Sequence, residues 1–301
     1  MSSPASSHHA RPLDPLAAVI VVVLCLSWGF NQVVTKIAIH DIPPMIQSSI
    51  RSAAAALIVT AWCKVRGIPL LVRDGTLGAG LVAGLLFAIE FIFIYQGLVY
   101  TTATRAVLFI YLAPFLVVLG ARVFFPADRF GVAQWVGLVL SFSGMIVAFG
   151  LPTPALDPRQ AIGDMMMVGG ALFWAATTLI IKASALNRIS SEKVMLYQLV
   201  VSTPVLALAA LLFAEHIEVM PSALALGALA YQTVWVVSVT FVVWFALVVR
   251  YSASRLSAFT FLTPLFGVAA GHLVLGEPLT PAVAAAVALV AGGLVLVNRA
   301  R

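Results

Sequence analysis

Residues 99–114 read VYTTATRAVLFIYLAP, and residues 249–264, which lie 150 positions later, read VRYSASRLSAFTFLTP. Both stretches lie in strongly apolar surroundings. Six of their 16 aligned positions are identical, namely Val99/Val249, Ala103/Ala253, Arg105/Arg255, Phe109/Phe259, Leu112/Leu262 and Pro114/Pro264. A repeated apolar unit is typical of membrane proteins in which two similar halves move about a shared central site. The repeat therefore predicts a membrane transporter.

The composition argues against an ordinary soluble domain. Of the 301 residues, 62% are hydrophobic and only 9% are charged, whereas soluble domains carry about 25% charged residues. Lipid is therefore expected to be the main solvent. The 17 basic residues are spread over loops and helix ends, which indicates cytoplasmic loop charge rather than a surface that binds nucleic acid.

Ten apolar runs are long enough to cross a membrane, which takes about 20 residues per helix. They span residues 16–39, 45–63, 77–100, 106–125, 130–150, 162–181, 194–213, 223–249, 256–275 and 281–297. The runs are too long and too rich in alanine, leucine and glycine for the alternating strands of a β-barrel. We predict an all-α integral membrane protein with ten transmembrane helices after a disordered cytoplasmic tail, residues 1–14.

The loop charges predict the orientation of these spans. With a cytoplasmic N-terminus, eleven lysines and arginines fall on the inner side, and only Lys36, Arg105 and Arg159 fall on the outer side. Basic residues accumulate in cytoplasmic loops. Both termini are therefore expected in the cytoplasm.

The number of spans between the two copies sets their relative orientation. The copies lie in spans four and nine. Because consecutive spans cross the membrane in alternating directions, an offset of five spans places the second copy upside down. Trp28 in span one likewise matches Trp174 in span six. We predict a 5+5 inverted repeat around a central cavity, in which Arg105 and Arg255 face opposite compartments. Its two halves, residues 15–150 and 151–301, form one membrane domain.

Glu90 is the only one of the eleven acidic residues near the centre of a span, within FAIEFIFIYQG. A lone carboxylate is costly in lipid, so its side chain should face the protein interior. Two interpretations are open. Glu90 either contacts a substrate amine or carries a proton, or it holds two helices together by a hydrogen bond or ion pair. Arg51 is a candidate partner, unless it snorkels to the outer interface.

Polar and aromatic stripes mark the spans expected to line the cavity. Trp28, Asn31 and Gln32 share one face of span one, and a matching stripe begins at Trp174 in span six. Such a face favours a common interior over lipid, although tryptophan and asparagine can also simply hold helices together. The candidate substrate-binding residues are Trp28, Asn31, Gln32, Glu90, Tyr95, Tyr111, Trp174, Thr177, Thr178, Tyr231, Gln232 and Trp235.

Pro114 and Pro264 occupy matched positions in spans four and nine. A proline within a helix frees a backbone carbonyl and permits a kink. The pair either forms two hinges or represents ordinary membrane-helix prolines.

Two small-residue motifs indicate close helix packing, within one chain or between chains. They are Gly80-xxx-Gly84 and Gly267-xxx-Gly271.

Four stretches resemble the EamA-type family of the drug/metabolite transporter superfamily. They are WGFNQVVTKIA at 28–38, IQSSIRSAAAAL at 46–57, GLVYTTATRAVLFIYLAP at 97–114 and SASRLSAFTFLTPLFGVAAGHLVLGEPLTP at 252–281. The resemblance covers about residues 16–298, and its most specific part ends in LGEP. FFPADR at 124–129 departs from the Gly-Glu-Arg-like turn that the family pattern has there. The resemblance implies ten helices, a central cavity and export of small metabolites across the bacterial inner membrane.

Within this family, the chain is similar to bacterial exporters of aromatic amino acids. Tryptophan and tyrosine faces can stack on a planar side chain or attract an ammonium group. The resemblance implies a secondary transporter that exports amino acids with aromatic or other hydrophobic side chains by alternating access. Other amphipathic solutes or drugs are the alternative, and proton coupling through Glu90 is left open.

A membrane enzyme and a non-transporting receptor are the competing classes of protein. The chain has no Walker motif and no GxGD-type aspartate pair, and its loops are too short to form a signalling domain. Cys25 and Cys63 lie in apolar runs without metal-ligand spacing. We therefore expect neither enzymatic activity nor a metal or other cofactor.

Overall fold

The computed structural model describes residues 13–125, 130–151, 157–276 and 280–299. The predicted tail up to residue 12, residues 126–129 of FFPADR and residues 277–278 of LGEP lie outside the described residues. Within the described ranges the secondary structure is helical. The thirteen α-helices are α1 (Pro15–Ile39), α2 (Pro44–Val65), α3 (Leu77–Tyr100), α4 (Ala103–Ile110), α5 (Ala113–Phe124), α6 (Val132–Phe149), α7 (Pro158–Ala183), α8 (Ser191–Leu212), α9 (Ala223–Tyr231), α10 (Phe241–Arg250), α11 (Ala253–Phe259), α12 (Leu262–Leu275) and α13 (Pro281–Arg299).

The helices confirm the prediction of an all-helical membrane protein. Nine helical segments in the described part of the chain are long and apolar enough to cross a membrane. The remaining predicted span is α2, which has 22 residues. Its apolar character is reduced by Gln47, Arg51 and neighbouring serines, and several of these side chains are buried.

Spans four and nine are each interrupted shortly before the matched prolines. The α4 helix ends at Ile110, and Pro114 lies in the first turn of α5. The α11 helix ends at Phe259, and Pro264 lies in the first turn of α12. Proline fits the first turn of a helix because the missing N–H has no partner there in any case. The interruptions occur where the sequence predicts kinks, whereas a hinge role stays a prediction.

Span eight contains a wider helical segment that the sequence did not predict. Between α9 and α10, residues Gln232–Thr240 form a π-helix. A hydrogen bond from the Ser238 hydroxyl to the Thr233 carbonyl, at 2.7 Å, spans five residues. A π-helix is rare and changes the face on which the following residues lie. The side chains of α10 therefore point in directions that an uninterrupted α-helix would not give.

The two predicted halves are interleaved. Helices α6 and α13 pack together, as do α3 with α7, α2 with α8, and α1 with α12. Each of these pairs joins a helix from residues 15–150 to one from the second part of the chain. The hydrophobic core is consequently built by both parts together.

A buried ion pair adds a polar link between them. The Arg105 guanidinium contacts the Asp164 carboxylate, which also accepts a hydrogen bond from the Thr101 hydroxyl at 2.6 Å. Arg105 is only 8% exposed. Its side chain is therefore buried against α7, near the beginning of α4, and the predicted opposite facing of Arg105 and Arg255 stays a prediction.

A second polar link joins the start of α3 to α8. The Lys193 ammonium donates to Asp74 at 2.7 Å, and Thr76 contacts both Asp74 at 2.5 Å and the Tyr197 hydroxyl at 3.0 Å. The hydrogen bond from Lys193, followed by that from Thr76, holds the pKa of Asp74 below its ordinary value of 3.8. Asp74 lies in the loop before α3, outside the membrane-spanning segments.

The glycines of the Gly80-xxx-Gly84 motif bring α3 close to α8 within this chain. A methyl group on Gly84 would lie 2.6 Å from Val201 Cβ and 2.7 Å from the Tyr197 carbonyl oxygen. These separations are shorter than van der Waals contact. The motif therefore serves packing inside the chain.

We expect Gly84→Ala to lower the free energy of unfolding by about 1–3 kcal/mol, because the backbone of α8 must move to admit the methyl group. Gly78 lies on the same helix with open space around it. Gly78→Ala should leave stability unchanged or raise it by about 0.5–1 kcal/mol. Thermal unfolding of the purified variants in detergent measures both changes in stability. Equal stability of the two variants would contradict the close packing of α3 on α8 at Gly84.

Asp74→Asn should lower the melting temperature by an amount that depends on pH. Because the folded-state pKa of Asp74 is lowered, its stabilising contribution is complete above the ordinary pKa and declines as pH falls towards the folded-state value. The difference between wild type and variant should stay constant from neutral pH to about pH 5 and shrink below it. In a Lys193→Met background most of this pH dependence should disappear, and its persistence would contradict the assignment to the Lys193 contact.

Candidate functional site

A cavity of about 260 Å³ lies among the helices near the middle of their length. Trp28 is the fourteenth residue of α1, and Glu90 is the fourteenth residue of α3. Nine of the twelve candidate residues predicted from the sequence line this cavity. They are Trp28, Asn31, Gln32, Glu90, Tyr95, Tyr111, Trp174, Thr177 and Thr178.

The other three candidates, all from span eight, do not line the cavity. The Tyr231 hydroxyl donates to the Ser27 carbonyl at 3.3 Å, and the Trp235 indole N–H donates to the Ser27 hydroxyl at 3.0 Å. Gln232 is fully buried elsewhere. Span eight instead supplies Val236 and three α10 residues, Phe241, Trp244 and Phe245. The prediction assumed one regular helix, and the π-helix changes which side chains face inward.

One wall of the cavity carries two groups of opposite formal charge. Glu90 comes from α3 and Arg51 from α2. Arg51 is 2% exposed, and its guanidinium carbon lies 4.6 Å from the centroid of the Phe91 ring. Two guanidinium nitrogens, Nε and Nη2, have no hydrogen-bond partner among the described residues. Arg51 therefore points into the bundle, and the snorkelling alternative does not hold.

Aromatic rings form much of the remaining wall. Trp28 meets the Phe241 and Trp244 rings edge to face, at centroid distances of 5.8 and 5.3 Å. Tyr111 meets Trp174 in the same manner at 5.9 Å. Edge-to-face contacts of this kind fix ring orientation and leave ring faces for other partners.

A hydrogen bond fixes the orientation of Trp28. Its indole N–H donates to the Thr240 hydroxyl at 2.8 Å, and that hydroxyl donates to the Val236 carbonyl at 2.5 Å. The bond joins α1 to the end of the π-helix. Trp28 is consequently held by both parts of the chain at the edge of the cavity.

Several lining residues were missed by the prediction. Arg51 was considered only as a partner for Glu90, although its position among the serines of α2 was a usable signal. Phe87, Phe91 and Ile94 lie in an apolar run where no residue stands out. Thr263 follows the α11–α12 interruption, whose local geometry was not predicted in detail.

The bundle of long apolar helices around a cavity with ionisable groups defines a membrane transporter as the class of protein. Residues 15–150 and 161–299 match the EamA-like transporter family, and the chain belongs to this family. The predicted family resemblance is thereby confirmed.

Relatives and one solved structure agree with this assignment. The chain is 26% identical to the uncharacterized transporter YvbV of Bacillus subtilis, over 93% of this chain and 91% of the relative. It is 27% identical to a probable amino-acid metabolite efflux pump of Salmonella typhimurium, over 93% of each chain. A crystal structure aligns with a TM-score of 0.80 at 21% identity, over 94% of this chain and 97% of the other. That likeness supports the fold alone.

Thr240→Val should lower the free energy of unfolding by about 1–3 kcal/mol, because it leaves the Trp28 N–H without its acceptor. Thr233→Val is the matched control in the same π-helix. The Thr233 hydroxyl bonds only the Leu229 carbonyl, which also accepts from the Gln232 N–H. Thermal unfolding should show a clearly smaller effect for the control, and equal effects would contradict the anchoring role of Thr240.

Proposed function

We propose that the protein is a secondary transporter that exports amino acids with aromatic or other hydrophobic side chains across the inner membrane. The observation that carries this proposal is the presence of both Arg51 and Glu90 in the lining of one cavity that is otherwise largely aromatic and apolar. An amino acid presents a carboxylate, an ammonium group and a side chain. The cavity offers a complementary group for each.

The carboxylate of the solute is assigned to Arg51. A guanidinium binds a carboxylate through directed, charge-assisted hydrogen bonds. The Nε and Nη2 atoms are buried and lack partners among the described residues, so a solute carboxylate that reached them would supply the missing acceptors. The ammonium group is assigned to Glu90, with the ring faces adding cation–π attraction.

The size of the cavity favours a small solute. Its volume of about 260 Å³ lies just below the roughly 300–1,000 Å³ usual for drug-sized ligands. A single amino acid suits this space better than a large drug. Smaller amphipathic amines are the second candidate class, because most of the cavity surface is apolar.

The names of several relatives support the amino-acid assignment. The Salmonella typhimurium relative and a 24% identical Escherichia coli relative are both named probable amino-acid metabolite efflux pumps. A further relative, 22% identical, is named an inner membrane transporter. These names support export across the inner membrane of a bacterial cell. The placement of both termini in the cytoplasm rests on the basic residues of the loops.

Alternating access between two inverted halves is the proposed mechanism. Two separate family matches, over residues 15–150 and 161–299, support two related halves. The packing also repeats between them, because α1 packs on α12 while α7 packs on α4 and α5. These contacts correspond to spans one and nine, and to spans six and four. Repeat-related movements of helix groups drawn from both halves would expose the cavity to each side in turn.

Exchange of radiolabelled amino acids by proteoliposomes tests this function. Phenylalanine, tyrosine and tryptophan should exchange faster than serine or aspartate, because the latter leave the aromatic wall unfilled. The wild-type protein should also bind or exchange a zwitterion better than its decarboxylated amine. Absence of protein-dependent flux for every amino acid would overturn the proposal.

Arg51→Met should lower amino-acid exchange about tenfold or more, because a hydrogen bond to a charged group is worth roughly 1.5–3 kcal/mol. Exchange of the decarboxylated amine should change little, since it has no carboxylate to lose. Arg66→Met is the matched control, because Arg66 is exposed beyond the end of α2 and contacts Trp62. A similar loss for acid and amine would contradict the carboxylate assignment.

Glu90→Gln separates the two roles left open for Glu90. An ammonium contact predicts weaker amino-acid exchange at every pH, whereas proton coupling predicts intact exchange with loss of transport driven by a pH gradient. Both assays use the same proteoliposomes. Unchanged exchange together with unchanged gradient-driven transport would leave Glu90 with a structural role alone.

A further inference from the structure

Unpaired buried polar groups are concentrated along one helix contact. Among the described residues, eleven buried side-chain nitrogen and oxygen atoms lack a hydrogen-bond partner. Seven of them belong to Gln47, Ser48 and Arg51 of α2 and to Gln232 of the π-helix. The α2 helix packs against this π-helix. We call the contact between α2 and Gln232–Thr240 the polar seam.

The unpaired groups of α2 lie on one face. Gln47 and Ser48 precede Arg51 by four and three residues, the spacing that places side chains together on a helix surface. Gln47 lies in the first turn of α2, and Arg51 lines the cavity. These unpaired groups of α2 therefore extend from its first turn to the cavity wall.

A permanent helix contact of this kind is unfavourable. Gln47, Ser48 and Gln232 are each 0% exposed. Nearly all buried polar groups in folded proteins have partners, because an unpaired group retains its full desolvation penalty. The closed seam therefore has a high free energy relative to an arrangement in which water or a solute reaches these groups.

The corresponding contact in the other half is well paired. Spans two and eight correspond to spans seven and three, so its counterpart is the contact of α8 with α3. There Lys193 bonds Asp74 at 2.7 Å, Tyr197 contacts Thr76 at 3.0 Å, and Gly84 fits tightly against Val201. The charged and hydroxyl groups named at the α3–α8 contact thus have partners, whereas those named at the polar seam do not.

Other contacts bind α2 to the α8 side of the bundle. The Glu215 carboxylate, in the loop after α8, accepts hydrogen bonds from the Met45 and Ile46 N–H groups at 2.9 and 3.0 Å. Ser202 of α8 donates to Ser52 of α2 at 3.2 Å. Movement of α2 together with α8 would open the polar seam without breaking these bonds.

We propose that the polar seam opens during transport and forms the route between the cavity and the end of the bundle where α2 begins. Gln47, Ser48 and Gln232 line this route and hydrogen-bond the ammonium and carboxylate groups of the passing solute. Arg51 lies where the route meets the cavity. The assignment of the solute rests on the proposed function, whereas the opening of the seam rests on the unpaired groups alone.

Cysteine labelling of the detergent-solubilised full chain tests the opening without any solute. Gln47→Cys and Gln232→Cys are treated with a small water-soluble methanethiosulfonate reagent. Wild type gives the background, because Cys25 and Cys63 are buried. Ala286→Cys, buried on α13, and Leu199→Cys, buried on α8, are the matched controls.

Both seam cysteines should label at least about tenfold faster than the controls, because open states populated at about 0.1–10% suffice for reaction. Full reaction after denaturation verifies that each thiol is reactive. Labelling of the seam cysteines no faster than the controls would overturn the proposal. Fast labelling combined with no amino-acid flux would uphold the seam and reject the assigned solute.

A second pair of variants covers the case in which the cysteine proteins do not fold. Gln47→Met and Ser48→Ala remove unpaired polar groups and should keep or raise the melting temperature. Amino-acid exchange should nevertheless fall severalfold, because the closed seam is stabilised and the route loses its polar lining. Unchanged exchange in both variants would contradict the route.

Discussion

The high free energy of charge in a lipid-embedded helix bundle governs the arrangement of the protein. Arg51 and Glu90 are costly so far from water unless they share a polar interior or bind a ligand. The helices meet this constraint by surrounding a cavity that holds both side chains. Aromatic rings fixed by edge-to-face contacts and by the Trp28–Thr240 hydrogen bond complete its wall. The same constraint explains why Arg105 is paired with Asp164 inside the bundle.

The presence or absence of hydrogen-bond partners for buried polar groups distinguishes the helix contacts that should stay together from those that should separate. The α3–α8 contact pairs its charges and packs around glycines, so it has the character of a fixed contact. The α2 contact with the π-helix buries amide and hydroxyl groups that lack partners among the described residues. This asymmetry provides a physical basis for movement of one seam while the other holds.

Much of this organisation was accessible from the sequence, because long apolar runs and their breaks report directly on membrane helices. The stripe from Trp28 to Gln32 and the matching stripe at Trp174 both reach the cavity. Side-chain positions that depend on helix register could not be predicted from the sequence. Tyr231 and Trp235 lie away from the cavity, whereas Phe241, directly after the π-helix, lines it, and no local pattern predicts such a segment. The burial of Arg105 depends on Asp164, which lies 59 residues away.

Equilibrium binding to the purified protein tests the central claim most directly, namely that Arg51 and Glu90 together recognise a zwitterion. Trp28, Trp174 and Trp244 line the cavity, so their fluorescence can report occupancy. Phenylalanine should bind at least about tenfold more tightly than its methyl ester or its N-acetyl derivative, since each derivative loses one charge-assisted contact worth roughly 1.5–3 kcal/mol. Equal affinity for all three compounds would contradict recognition of both charged ends.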